Sequence, residues 1–203
     1  MDRNKLTKAV LIATLVVFSA SYAYAQEFFA RLNGFQELGG LNAETGAIRT
    51  DGRGTLHLNL DRLTNTATFT LTYSDVGTPA ELTPRTVTQA HIHFGKVHSA
   101  GGILVFFCTN VGPAGIQACP LNSGTVTGTF AAGNVRAIAG QNVVAGDFDA
   151  LVDALRSNTA YANIHTTGFP AGEIRGQIRR DNGRGHDDKD HDGKDHDGKD
   201  HHK

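Results

Sequence analysis

Residues 90–95 read Ala-His-Ile-His-Phe-Gly, and the interpretation of the rest of the chain starts from this stretch. A β-strand sends residues i and i+2 to the same face, so His91 and His93 converge on one side of the backbone. Ala90, Ile92 and Phe94 then point the other way, into a hydrophobic core. The stretch predicts a strand over 87–94 that carries two metal-competent side chains on one face.

Outward from this strand, the apolar pattern predicts a domain of short strands. Residues 55–60 and 67–73 alternate between apolar and polar side chains and predict a hairpin with one buried face. Apolar residues at a 3.6-residue spacing predict one helix over 147–156. Further strands are predicted over 28–32, 103–107, 125–130, 160–166 and 173–178. We therefore expect an all-β fold, a sandwich of antiparallel sheets with one short helix.

The two ends of the chain differ in composition from the middle. Residues 1–25 combine early basic residues, an apolar run over 9–20 and the sequence Ala23-Tyr24-Ala25, which is typical of a cleaved signal peptide. The alternative is a single membrane anchor, but the apolar run is shorter than the ~20 residues that span a bilayer. No other segment is apolar enough to cross a membrane, so we expect no transmembrane segment after cleavage. We predict one domain over 26–180 in an exported protein.

The remaining residues, 181–203, form a tail that repeats every five residues and contains no aliphatic or aromatic side chain. Such a segment has nothing to bury and is predicted to be disordered. Two interpretations stay open: a solubilising charged tail, or a weak polyvalent set of metal ligands. The histidines of that set are His186, His191, His196, His201 and His202.

Charge and cysteine content narrow the function class. The formal net charge of −1 and the lack of a basic stripe exclude an electrostatic case for nucleic-acid binding. Cys108 and Cys119 are the two cysteines, and in an exported chain they predict a disulfide bond. The alternative is a pair of metal ligands, but their spacing matches no common zinc pattern. No G-x-S-x-G nucleophile motif supports hydrolysis.

A third histidine has the same strand context as the first two. Alternation over 161–165 places Ala162 and Ile164 in the core and His165 on the opposite face. Imidazole suits copper, zinc, nickel and iron, so adjacency of the two strands would create a three-histidine metal site. The alternative is three histidines that are satisfied by hydrogen bonds.

Three more residues are candidates for supporting roles. His98 follows His93 by five residues and is a candidate additional ligand. Arg175 is the candidate catalytic residue because its charge would attract a small anion, and Glu173 is the candidate acceptor that orients an imidazole. The alternative for Arg175 is a structural ion pair with Glu37 or Glu173.

Three segments together resemble the chordin-type (CHRD) domain. They are Gln-Ala-His-Ile-His-Phe-Gly at 89–95, Tyr-Ala-Asn-Ile-His-Thr at 161–166, and Phe-Pro-Ala-Gly-Glu-Ile-Arg-Gly-Gln-Ile at 169–178. Asn-Gly-Phe-Gln-Glu at 33–37 resembles the family's opening element, although Leu-Gly-Gly replaces the prolines that usually follow. The resemblance covers about 28–179 and implies an extracellular, immunoglobulin-like β-sandwich. The cysteine segment resembles that of secreted bacterial members.

The His-x-His strand also resembles the copper half of the Cu/Zn superoxide dismutases, but the chain lacks their histidine-rich zinc loop. We therefore predict a mononuclear copper site, with zinc as the alternative ion, in a secreted or periplasmic protein. Superoxide dismutation and copper handling are the activities that follow. The alternative is a non-catalytic module that binds an extracellular protein or a cell-wall component and uses the histidines structurally.

Overall fold

A computed structural model describes residues 25–38, 46–77 and 85–182. Residues 1–24 of the predicted signal peptide and residues 183–203 of the predicted tail lie outside the described residues. The described part contains one α-helix, α1 (Phe148–Arg156), three short 3-10 turns and nine strands. The strands are β1 (Ala25–Asn33), β2 (Arg53–Asp61), β3 (Thr66–Ser74), β4 (Val87–Phe94), β5 (Gly102–Thr109), β6 (Gly124–Phe130), β7 (Ala160–Thr166), β8 (Ile174–Gln177) and β9 (Arg179–Arg180).

All nine strands belong to one antiparallel sheet. The order is β5-β4-β7-β8-β1-β2-β3-β6, and β9 pairs with β1. The two edge strands meet at a seam, where Nε2 of Gln117 donates to the carbonyl of Phe107 in β5 at 3.1 Å and to that of Thr127 in β6 at 3.0 Å. The all-β antiparallel prediction is confirmed. The strands form one nearly closed, barrel-like sheet, and the strand order does not show the two separate sheets of a sandwich.

The core lies on the concave side of this sheet and follows the predicted alternation. Leu56, Leu58 and Leu60 of β2 are buried, as are Phe69 and its apolar neighbours in β3. Phe69 also stacks on Phe130 of β6, with ring centroids 4.6 Å apart. Each fully buried side chain of this kind contributes about 1.5–3 kcal/mol by leaving water. The alternating residues therefore direct the sheet to curl around one core.

Helix α1 packs against β7 and β9. Asp147 caps its start by accepting a hydrogen bond from the Ala150 backbone at 3.0 Å. Its apolar face, which includes Leu151 and Leu155, is fully buried. This nine-residue helix is too short to cross a membrane, and no described helix is long and apolar enough to do so.

The predicted disulfide between Cys108 and Cys119 is present, and both residues are buried. It joins the end of β5 to the loop that leads to β6. Asn110 lies inside this loop, where its side chain donates to the carbonyls of Val87 and Cys119 and accepts from the Cys119 backbone. The loop is therefore fixed to the start of β4 as well as to β5.

Candidate metal centre

The three predicted histidines lie together on the outer face of two neighbouring strands. β4 pairs with β7 throughout its length, with Gln89 opposite His165, His91 opposite Asn163 and His93 opposite Tyr161. Ala90, Ile92 and Ile164 fill the core on the inner face. The sheet order thus confirms that β4 and β7 are neighbours, which the sequence alone did not establish.

The distances within the cluster are short. The ring centroid of His91 is 4.9 Å from that of His93 and 4.6 Å from that of His165. One nitrogen from each ring can be chosen so that all three atoms lie within 4.8 Å of one another. Within the part of the chain that the structure describes, this is the one group of three or more histidine, cysteine or carboxylate side chains with such spacing.

Burial keeps these imidazoles neutral. His91 is completely buried, and His93 and His165 are less than a tenth exposed. The pKa of His91 is lowered to about 2, mainly by desolvation and further by the neighbouring His165 and His93. Desolvation likewise lowers the pKa of His93 to about 4, and it also lowers the pKa of His165. All three rings therefore offer a lone pair at neutral pH, which is the form that binds metals.

Two backbone carbonyls determine which nitrogens carry the protons. Nδ1 of His93 lies 2.8 Å from the Gly101 carbonyl, and Nδ1 of His165 lies 2.9 Å from the Pro170 carbonyl. A carbonyl oxygen only accepts, so Nδ1 is the donor in both rings and Nε2 holds the lone pair. Nδ1 of His91 lies 2.9 Å from Nε2 of His93 and must therefore donate to it, which leaves Nε2 of His91 without a proton as well.

The cluster therefore contains acceptors without donors. Nε2 of His91 and Nε2 of His165 are buried and have no hydrogen-bond partner among the described residues. A buried polar atom without a partner costs about 1–3 kcal/mol. A cation among the rings would remove this cost, and neutral imidazole nitrogen is a good ligand for copper and zinc. The residues present fit a metal ion.

Aromatic and backbone contacts hold His93 in place. Its ring stacks on Tyr161 with centroids 4.8 Å apart and planes 2° from parallel. The Tyr161 hydroxyl accepts from the Gly101 backbone N–H at 3.2 Å, so the backbone of one residue contacts both side chains. Gly101 has no room for a side chain, because a Cβ there would overlap the Phe94 carbonyl. The glycine at 101 thus permits the contact that orients His93.

Arg175 lies in this layer but not in the position that its predicted role needs. Its guanidinium sits 3.4 Å from the centre of the Tyr161 ring and donates to the carbonyls of Lys96 and Ser99 at 3.2 and 3.0 Å. Only 3% of Arg175 is exposed. Desolvation lowers its pKa, while the charges of Tyr161 and Glu37 act in the opposite direction. Arg175 fixes the loop after β4 and does not face solvent, where it would attract an anion.

The structure does not place Glu173 or His98 among the three clustered histidines. Oε1 of Glu173 accepts from the hydroxyl of Thr50 and the backbone of Gly77, and Oε2 accepts from Thr166. Its carboxylate therefore binds loops, and backbone carbonyls orient the imidazoles instead. His98 is exposed in a turn at φ 60°, and it is not part of the cluster.

One buried pair beside the cluster was missed as a functional feature. Nδ2 of Asn163 donates to Oε2 of Glu37 at 2.8 Å, and both side chains are only 3% exposed. Asn163 belongs to the same outer face as His165, at two residues' distance. Strand alternation over 161–165 could have identified it, but its partner Glu37 is 126 residues away in the chain.

The described residues thus form an all-β domain with a buried three-histidine cluster on the outer face of its sheet. The family model of the CHRD domain matches residues 28–178, which is most of the chain and includes all three histidines. The chain therefore belongs to the CHRD-domain family, as the sequence motifs predicted. Comparisons with curated proteins and with solved structures found no match.

Proposed function

We propose that this CHRD-domain protein binds one transition-metal ion through His91, His93 and His165. The observation that carries the proposal is the pair of buried, unprotonated Nε2 atoms that have no hydrogen-bond donor among the described residues. One nitrogen from each of the three imidazoles lies within 4.8 Å of those of the other two. Copper is the ion we propose, and zinc is the alternative, because both accept three neutral nitrogen ligands.

The hydrogen bonds indicate which nitrogens are the ligands. Nδ1 is engaged by a carbonyl in His93 and His165, so Nε2 is the available atom in both. In His91, Nδ1 donates to Nε2 of His93 at 2.9 Å, so the unprotonated nitrogen is again Nε2. Nε2 of His93 would leave this hydrogen bond in order to bind the ion.

The setting of the site supports a role outside the cytoplasm. Cys108 and Cys119 form a disulfide, which persists in oxidising compartments. The predicted signal peptide agrees with export. We propose metal handling as the function, and superoxide dismutation as its catalytic form if the ion is copper with an open coordination position. The buried, hydrogen-bonded Arg175 gives no support to electrostatic guidance of an anion.

Metal analysis of histidine variants tests the proposal. A chain that ends at Asn182, which removes the tail histidines, should bind one copper ion per molecule after dialysis against a weak chelator. His91→Ala and His165→Ala should lose this ion. His57→Ala and His98→Ala are the matched controls, because both residues are exposed, and they should keep it. Equal metal content in all five proteins would refute the proposal.

A second candidate function is a non-catalytic binding or matrix module. It is favoured by one observation: His93 and His165 tie the loops at Gly101 and Pro170 to the sheet, as structural histidines would. This candidate predicts that the histidine variants lose stability without any metal being involved. Unfolding measured with and without a strong chelator separates the two, since only a metal protein responds to the chelator.

A further inference from the structure

A basic pocket lies on the outer face of the sheet, where β9 pairs with β1. It has a volume of about 320 Å³, and its lining includes the side chains of Arg31, Arg179 and Arg180. The one carboxylate among its lining residues is that of Asp181. Three guanidinium groups and one carboxylate leave an excess of positive charge, so the complementary ligand is an anion. We call this the arginine pocket.

An aromatic ring lies beside two of these arginines. Arg179 is directly opposite Phe29 in the pairing of β9 with β1, so the two side chains point to the same face. Arg31 follows Phe29 by two residues on the same strand, and its guanidinium carbon lies 5.9 Å from the centre of the Phe29 ring. Phe29 lines the pocket and is half-buried. The pocket therefore combines an apolar ring with neighbouring positive charges.

Two amide side chains also line the pocket and are held by hydrogen bonds. Nε2 of Gln36 donates to the carbonyl of Arg31 at 3.0 Å, and Nε2 of Gln177 donates to two backbone carbonyls at 3.2 and 2.7 Å. The hydrogen bond of Gln36 directs its amide oxygen away from the Arg31 backbone, and this side chain is exposed. An amide oxygen and the carboxylate of Asp181 both accept hydrogen bonds. The pocket thus offers acceptors as well as positive charges.

These groups together favour a ligand with three chemical features. A guanidinium forms paired hydrogen bonds with a carboxylate, and the Phe29 ring packs against an apolar face. The acceptors of Gln36 and Asp181 suit hydroxyl donors. Inorganic phosphate has no apolar face, and an apolar carboxylic acid has no hydroxyl groups for these acceptors. A sugar acid has a carboxylate, a face of C–H groups and several hydroxyl donors.

We propose that the arginine pocket binds a carboxylated sugar as a unit of an acidic polysaccharide, with Arg31 and Arg179 at the carboxylate and Phe29 against the sugar ring. Its volume is at the small end of the usual range for ligand pockets, about 300–1,000 Å³, which suits a single sugar unit. The inference does not rest on the metal site, because β7 lies between β8 and β4 in the sheet. It gives the second candidate function, a binding module, a specific class of ligand.

A titration of the ¹⁵N-labelled full chain with a galacturonic acid trimer tests the inference. Backbone amide signals of residues 29–31 and 177–182 should shift in NMR spectra as the trimer is added. The methyl-esterified trimer is the matched control ligand, because it has the same sugar rings without the charges. It should bind at least about 10-fold more weakly, since hydrogen bonds to charged groups are the strong ones.

Two variants locate the binding groups within the pocket. Arg179→Gln should weaken the charged trimer about 10-fold or more, and Phe29→Leu should weaken it without changing the charge. Arg136→Gln is the matched control, because it removes the same charge from an exposed arginine that does not line this pocket, and it should keep wild-type affinity.

Several results would overturn the inference. These are an absence of shifts, shifts confined to other parts of the sheet, and equal affinity for the charged and the esterified trimer. Equal affinity in wild type and Arg179→Gln would also overturn it. Inorganic phosphate that produces the same shifts at the same concentrations would reduce the pocket to a simple anion site and exclude the sugar. The comparison of ligands uses wild type alone, so it decides the matter even if a variant does not fold.

Discussion

Acidification should destabilise the metal-free protein through its buried histidines. The pKa of His91 is lowered to about 2 and that of His93 to about 4, whereas an unfolded histidine titrates near 6.5. Between these values the unfolded chain binds more protons than the folded one, so stability rises with pH. The stabilisation is complete above about pH 6.5 and is lost as the pH falls below that value.

The expected loss of stability follows from the difference in histidine pKa between the folded and the unfolded chain. At about pH 5, a histidine that is protonated only in the unfolded chain lowers the free energy of unfolding by about 2 kcal/mol. His91 and His93 together should lower it by about 4 kcal/mol, and the lowered pKa of His165 acts in the same direction. This is a large part of a typical domain stability of about 5–15 kcal/mol.

The assay is urea unfolding in a strong chelator at about pH 7.5 and about pH 5, monitored by circular dichroism because the chain has no tryptophan. The double variant His91→Gln/His93→Gln should lose much less stability on acidification than wild type does. His57→Ala, which changes an exposed histidine, should lose as much as wild type. A wild-type loss under about 1 kcal/mol, or equal losses in wild type and the double variant, would refute the reasoning.

Three further predictions concern the surroundings of the site. Gly101→Ala should lower the free energy of unfolding by about 1–3 kcal/mol through overpacking, and it should weaken metal binding by displacing the carbonyl that orients His93. Gly133→Ala is the control, because position 133 has open space around it, and it should change neither the stability nor the metal affinity. Replacing both Cys108 and Cys119 by serine should lower the free energy of unfolding by about 3 kcal/mol, and a loss below about 1 kcal/mol would contradict the loop-closure argument. Zinc at about 100 times its dissociation constant should raise the free energy of unfolding by about 2.7 kcal/mol in wild type but not in His165→Ala, and equal shifts in both would place the ion elsewhere.

Much of the fold is predictable from local patterns. The limits of β4 and β7 coincide with those expected, because strict alternation of apolar residues marks both strands. Closure of the sheet is not predictable in this way. The side chain of Gln117 hydrogen-bonds to both β5 and β6, and it comes from a loop without a periodic pattern. A two-sheet sandwich and a single curled sheet show the same alternation of apolar and polar residues within each strand.

In the candidate site, likewise, some residues are predictable from local patterns and others are not. His91, His93 and His165 are predictable because a period of two places each on the face opposite a buried residue. The groups that orient them are not, since they are the carbonyls of Gly101 and Pro170, and any residue type supplies a carbonyl. Glu173 had the chemistry for that role, but its carboxylate is used by Thr50, Gly77 and Thr166.

Electron paramagnetic resonance of the copper-loaded chain ending at Asn182 tests the central claim most directly. Nitrogen hyperfine lines count the imidazoles on the ion, and the account predicts three in wild type and in His98→Ala. It predicts fewer, or no specifically bound copper, in His91→Ala, His93→Ala and His165→Ala. A wild-type spectrum without three nitrogen couplings, or one that is unchanged by the three substitutions, would contradict the claim that these histidines form a metal site.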